Sequence, residues 1–147
     1  MPFFTLQLKP SGPIAEILVN VSDGLRDALM ADGKPVPFPV KIDGLIDTGA
    51  DCTCADPQVF RDLNLTRKGT CALWTPSTGE AAKEADEFDV DIKILGSGAD
   101  QVFPMGTIAV AAADVAPFGF QIIIGRDVLA KCLFSYNGQS RFFTLAY

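Results

Sequence analysis

The run Leu45-Ile46-Asp47-Thr48-Gly49-Ala50-Asp51-Cys52-Thr53 drives two apolar residues straight into an acid, a small hydroxyl residue and a glycine. Leu45 and Ile46 read as the end of a buried strand. A carboxylate beside them is costly unless it is hydrogen-bonded or shares a proton. Gly49 lets the backbone turn sharply and another segment approach closely. The run reads as a loop built to hold the Asp47 carboxyl in a partly desolvated place.

A bare Asp-Thr-Gly is common by chance. Here it is narrowed by its apolar lead-in, by the trailing Ala-Asp-x-Thr, and by a second run far downstream, Ile122-Ile123-Ile124-Gly125-Arg126-Asp127-Val128-Leu129. In this order, with a candidate flap between them, the two runs resemble the active-site loop and the supporting strand and helix of the retropepsin-like (retroviral-type) aspartic proteases. The resemblance covers Pro35 to the C-terminus, and Met1 to Lys34 match only loosely. Cys52 stands where some viral members carry an acid. Pro76-Ser77-Thr78-Gly79 replaces their glycine-rich flap tip, which brings the chain nearer to cellular and bacterial members.

The resemblance implies an aspartic endopeptidase acting on extended peptide segments, with no cofactor and no metal. Its catalytic residues would be Asp47, Thr48 and Gly49, with Thr48 bonding across a dimer axis and Gly49 offering its carbonyl to the substrate. Asp51 would bind the substrate main chain and pair with Arg126, and Ile123 would line a pocket. Trp74, Thr75, Pro76, Ser77, Thr78 and Gly79 would form the flap. Ala50, Gly125 and Arg126 would support the site. The chain holds one Asp-Thr-Gly, since Asp43-Gly44 lacks the hydroxyl residue and Asp127 starts a helix. A two-acid mechanism therefore requires a homodimer with Asp47 from each copy near a two-fold axis.

Composition agrees. The chain has 147 residues, 48% of them hydrophobic, enough for one domain (1–147) with its own core. A net charge of −6 argues against nucleic acid or an anionic membrane as partner. Histidine is absent, which excludes Ser-His-Asp and Cys-His mechanisms and leaves acid–base work to carboxylates, lysine or tyrosine. Cys52, Cys54, Cys71 and Cys132 fit zinc-site spacings poorly and read as buried reduced thiols. Met1-Pro2-Phe3-Phe4-Thr5 lacks the features of a signal peptide, so the expected location is cytoplasmic.

The pattern of elements is all-β: a closed barrel of short strands with a flap hairpin and one or two short helices. Phe88, Val90, Ile92 and Ile94 alternate with polar residues as a half-buried strand does. Asp56-Pro57 opens a short helix. Leu25 to Met30 could make a helical turn, and the prolines at 35, 37 and 39 exclude a central strand there. Glu80 to Glu87 reads as a solvated face, and Asn137-Gly138 as a hairpin signal. Two rival functions remain. One is a non-catalytic dimeric peptide-binding or assembly module of the same fold; the other is a thiol redox or metal protein using Cys52 and Cys54.

Overall fold

A computed structural model describes residues 1–147. Six strands close on themselves. β2 (Ile14–Val21) pairs antiparallel with β3 (Val40–Ile46), and β3 runs parallel to β8 (Ile122–Ile124). β8 is antiparallel to β4 (Cys54–Ala55), which runs parallel to β7 (Val102–Ala112). β7 pairs antiparallel with β6 (Lys83–Leu95), and the far half of β6 returns to β2 and shuts the ring. The expected all-β barrel is what the chain forms.

The interior follows from strand alternation. Phe88, Val90, Ile92 and Ile94 of β6 point inward together with Ala15, Ile17, Val19 and Val21 of β2. Phe60 of helix α2 (Pro57–Asp62) stacks on Phe88 with ring centroids 4.1 Å apart. Asp56 caps that helix by accepting from the Gln58 N–H at 3.0 Å, as the Asp-Pro pair foretold.

Three features depart from the sequence pattern. Asp23–Ala31 forms a full helix, α1, because the Ser22 side chain caps it by accepting from the Leu25 N–H. With α2 and α3 (Arg126–Leu129) the short helices number three. The polar run after Lys83 belongs to β6 and is the return arm of a hairpin with β5 (Gly69–Leu73), with Ala85 buried within it. Finally, Phe3 to Leu8 and Ile14 to Val21 read in the sequence as two strands joined by the turn signal Pro10-Ser11-Gly12-Pro13, yet β1 (Phe3–Gln7) does not pair with β2. It joins a separate three-stranded sheet of order β1-β10-β9, where β9 is Leu133–Asn137 and β10 is Phe142–Ala146. Phe4, Phe143 and Leu145 seat this sheet on the barrel core. No helix is long and apolar enough to cross a membrane.

Asp91 stands out on β6 as a buried acid, its residue only 8% exposed. Burial pushes its carboxyl above the usual range and Asp23 of α1 adds to this, while Lys93 and Arg26 pull the other way. A carboxyl raised on folding favours the folded state below its unfolded value, and that contribution is lost as pH rises through the folded value. Asp91→Asn carries no charge at any pH. It should raise the melting midpoint near neutral pH, with the gain shrinking as pH falls into the ordinary carboxylate range. Equal gains at both ends in a pH series of thermal melts would contradict this account of Asp91.

Candidate active site

β3 runs into the 47–53 loop, the chain turns back as β4, and β8 inserts between those two strands. The loop is thus held from behind. The Asp47 N–H donates to the Ile124 carbonyl at 3.0 Å, and the Ala50 N–H to the Asp47 carbonyl at 3.2 Å. The Gly49 N–H donates to Asp47 Oδ1 at 2.8 Å, which fixes the carboxyl at the head of the loop. Asp47 is half-buried, whereas Thr48 and Gly49 are exposed.

A second tier of bonds ties the loop to α3. The Arg126 N–H donates to the Ala50 carbonyl at 2.9 Å, and its guanidinium Nη1 to the Thr48 carbonyl at 2.8 Å. Nη2 forms an ion pair with Asp51. Both side chains are more than half exposed, so the charge pair by itself stabilises little. Asp127 contributes more order. Its Oδ2 accepts the Thr53 N–H at 2.9 Å, and its Oδ1 accepts the Thr53 hydroxyl at 2.8 Å and the Val128 N–H at 2.9 Å. Thr53, 0% exposed, accepts the Gly125 N–H at 3.1 Å in turn, which leaves its buried hydroxyl satisfied on both sides.

Gly125 marks where the two runs cross. A Cβ built there would lie 2.6 Å from the Cys52 carbonyl carbon and oxygen, so only glycine admits this approach. Asp47, Thr48, Gly49, Ala50, Asp51, Gly125 and Arg126 are therefore gathered into one braced unit. In the sequence Asp127 reads only as a helix start and Thr53 has no assigned role. The available signal was an acid in the first turn of a four-residue helix, with a hydroxyl residue two positions after Asp51.

A groove of about 570 Å³ lies between the 75–78 tip of the β5–β6 hairpin and the 113–118 segment, with Ile123 and Cys54 also lining it. Thr75, Pro76, Ser77 and Thr78 line it too, whereas Trp74 and Gly79 do not. Leu73, Ala85, Val115 and Phe118 make it mostly apolar, and Phe118 was not foreseen. A smaller cavity of about 360 Å³ borders the loop on its other side, between Thr48, Arg126, Leu129, Ala130 and Phe134. All four thiols are free. Burial pushes Cys54 up to about 12 and also raises Cys52, Cys71 and Cys132, away from thiolate reactivity.

A comparison of folds finds similar solved structures. It is similar to a retropepsin-like aspartic protease from Rickettsia conorii, at 16% sequence identity and a TM-score of 0.57, covering 99% of this chain and 91% of that one. It also matches a foamy viral protease-reverse transcriptase in complex with RNA/DNA hybrid, at 15% identity and a TM-score of 0.44, over 81% of this chain and 12% of that chain. No family model matches the sequence, and no curated protein matches it. The fold is the retropepsin-like fold.

Proposed function

We propose that the chain is an aspartic endopeptidase working as a two-fold homodimer, with one Asp47 from each copy forming the catalytic pair. The observation that carries this reading is the bracing of Asp47. An acid that merely capped its own turn would need only the Gly49 N–H. Here the loop is also locked from more than 70 residues away by the β8 backbone, the Arg126 guanidinium and the Asp127–Thr53 bonds. Such rigidity is what a positioned catalytic group needs.

Two carboxyls that close cannot both ionise comfortably, so the pair shares one proton. The ionised member takes a proton from a water held between them, and the water oxygen attacks the scissile carbonyl. The protonated member gives its proton to the carbonyl oxygen, and the leaving nitrogen is protonated as the tetrahedral intermediate collapses. Thr48 would bond across the axis, Gly49 and Asp51 would hold the substrate main chain, and Ile123 would meet a side chain in the groove. The 74–79 tip would close over the peptide and exclude water. The test is a peptide-library digest from about pH 4 to pH 7, a range that brackets a shared proton. Wild type and Asp47→Asn are run side by side. Cleavage by wild type alone supports the enzyme; equal cleavage removes Asp47 from the chemistry. Silence from a stable wild-type dimer favours the binding-module alternative.

Trp74, the single tryptophan, is 65% exposed at the base of that tip. If the tip closes over substrate, an uncleaved peptide bound to Asp47→Asn should shift Trp74 emission to the blue, saturating with peptide. A bound peptide that leaves the spectrum untouched would take Trp74 out of the flap role.

A further inference from the structure

One wall of the 570 Å³ groove is made by a segment with little secondary structure to hold it. Between β7 and β8 the chain makes an excursion, and Ala113, Asp114, Val115 and Phe118 of it line the groove together with the 75–78 tip. Val115 and Phe120 are buried and anchor the excursion to the body, whereas Phe118 is 70% exposed. A single 3₁₀ turn, Ala116–Phe118, shapes the wall here, and Gly119 ends it at φ 93°.

That turn cannot cap itself. Val115 stands at its N-cap position without a side-chain acceptor, and Pro117 has no N–H of its own. The donor left over is the Ala116 N–H, and Asp56 Oδ2 accepts it at 3.2 Å from 60 residues away. The other oxygen of the same carboxylate, Oδ1, caps α2 through the Gln58 N–H at 3.0 Å. Backbone bonds from the same dipeptide flank the excursion. The Ala113 N–H donates to the Ala55 carbonyl at 2.9 Å, and the Asp56 N–H to the Gln121 carbonyl at 2.8 Å. The ends of the excursion are therefore pinned by main chain, and its middle by one side chain.

We infer that Asp56 is a positioning residue for substrate: by holding Ala116 it fixes the wall that carries Phe118, and that wall selects a peptide with a bulky apolar side chain. This rests on the reading of the groove as a peptide site. Leu73, Ala85, Val115 and Ile123 make the groove apolar around Phe118. A side chain entering it is stabilised in proportion to the apolar area it buries, so phenylalanine gains over alanine only where the wall is in place. A loose wall would have to be ordered at the moment of binding, and that cost lowers the affinity. A carboxylate suits position 56 because it has an acceptor oxygen for each partner. Serine there would keep a favoured helix N-cap, but its single oxygen would leave Ala116 unheld.

Fluorescence anisotropy tests this with a pair of labelled peptides that differ only by phenylalanine or alanine at one central position. They are titrated into protein carrying Asp47→Asn, which removes cleavage from the readout. Asp56→Ser in that background should weaken the phenylalanine peptide about 10-fold, the scale of one hydrogen bond to a charged group, and leave the alanine peptide within about 2-fold. Asp62→Asn, the same loss of charge at the other end of α2, should change neither. Phe118→Ala should reproduce the loss. The Asp56→Ser/Phe118→Ala double variant should be no worse than Phe118→Ala alone, because both act through one wall. Thermal melts should place Asp56→Ser close to its parent. Equal weakening of both peptides would make Asp56 a residue of the fold only and overturn the inference. So would a folded Asp56→Ser that binds the phenylalanine peptide like its parent, or additive losses in the double variant. If neither peptide binds the parent, the inference falls together with the groove's role. The protease reading fails separately: the expected pattern of binding in a chain whose wild type cleaves nothing leaves Asp56 its role and removes the enzyme.

Discussion

Mixed one to one with wild type, Asp47→Asn subunits should halve the peptidase activity of each wild-type subunit present. Alone, the variant should lose at least about 1,000-fold in kcat/KM, the scale expected when an acid–base group is removed. The fold should survive, because the asparagine Oδ1 can still accept the Gly49 N–H that now lies 2.8 Å from Asp47. The mixing result follows from symmetry. If each active unit needs two Asp47 carboxyls, random exchange leaves about one quarter of the dimers fully wild type, and the mixed half of the population is dead. Activity is measured against a saturating peptide after the subunits have been mixed and refolded together. Unchanged activity per wild-type subunit would mean that each chain works alone, and the shared dyad would be wrong.

What could be read from the sequence depended on whether the deciding contacts were local. The Asp47 loop was legible because an acid after Leu45 and Ile46 is costly, and a glycine two residues on shows how the chain relieves it. Phe88 to Ile94 was legible through alternation, and α2 through Asp56-Pro57. The first half of β6 was not, since Lys83, Glu84, Asp86 and Glu87 give no apolar pattern and become strand by pairing with β5. β1 could be identified as a strand from its own residues. Its partner could not, because Phe3 pairs with Ala146 at the other end of the chain. The Asp127–Thr53 bonds span 74 residues and left no mark in either local pattern. Even the Asn137-Gly138 hairpin closes differently from the simplest reading of that pair. Asn137 pairs with Phe142 across a longer loop, and the left-handed residue is Arg141 at φ 57°.

The second large effect separates two glycines by the same substitution. Gly125→Ala should destabilise the protein by about 3 kcal/mol, at the upper end for an atom forced into a packed site. Gly125 sits at φ −92°, where any residue is comfortable, so the cost is steric and not conformational. The obstacle is backbone: the new Cβ would meet the Cys52 carbonyl at 2.6 Å and the Ala50 oxygen at 3.1 Å, and neither can rotate away as a side chain would. Relief requires the loop and β8 to part. That weakens the Gly125 N–H bond to Thr53 and the Arg126 N–H bond to the Ala50 carbonyl together. For a chain of this size the midpoint should fall by roughly 6–12 °C. Well below that midpoint, activity should still drop about 100-fold, the usual consequence of displacing a catalytic group by about 1 Å. Gly24→Ala, in the first turn of α1 with nothing within 4 Å of the added methyl, should instead raise the midpoint slightly through the reduced freedom of the unfolded chain. Thermal melts and turnover on the two variants in parallel decide the matter. If Gly125→Ala melts with wild type and turns over normally, the crossing of β8 behind the loop does not hold Asp47 in place, and the rigidity argument for catalysis falls with it.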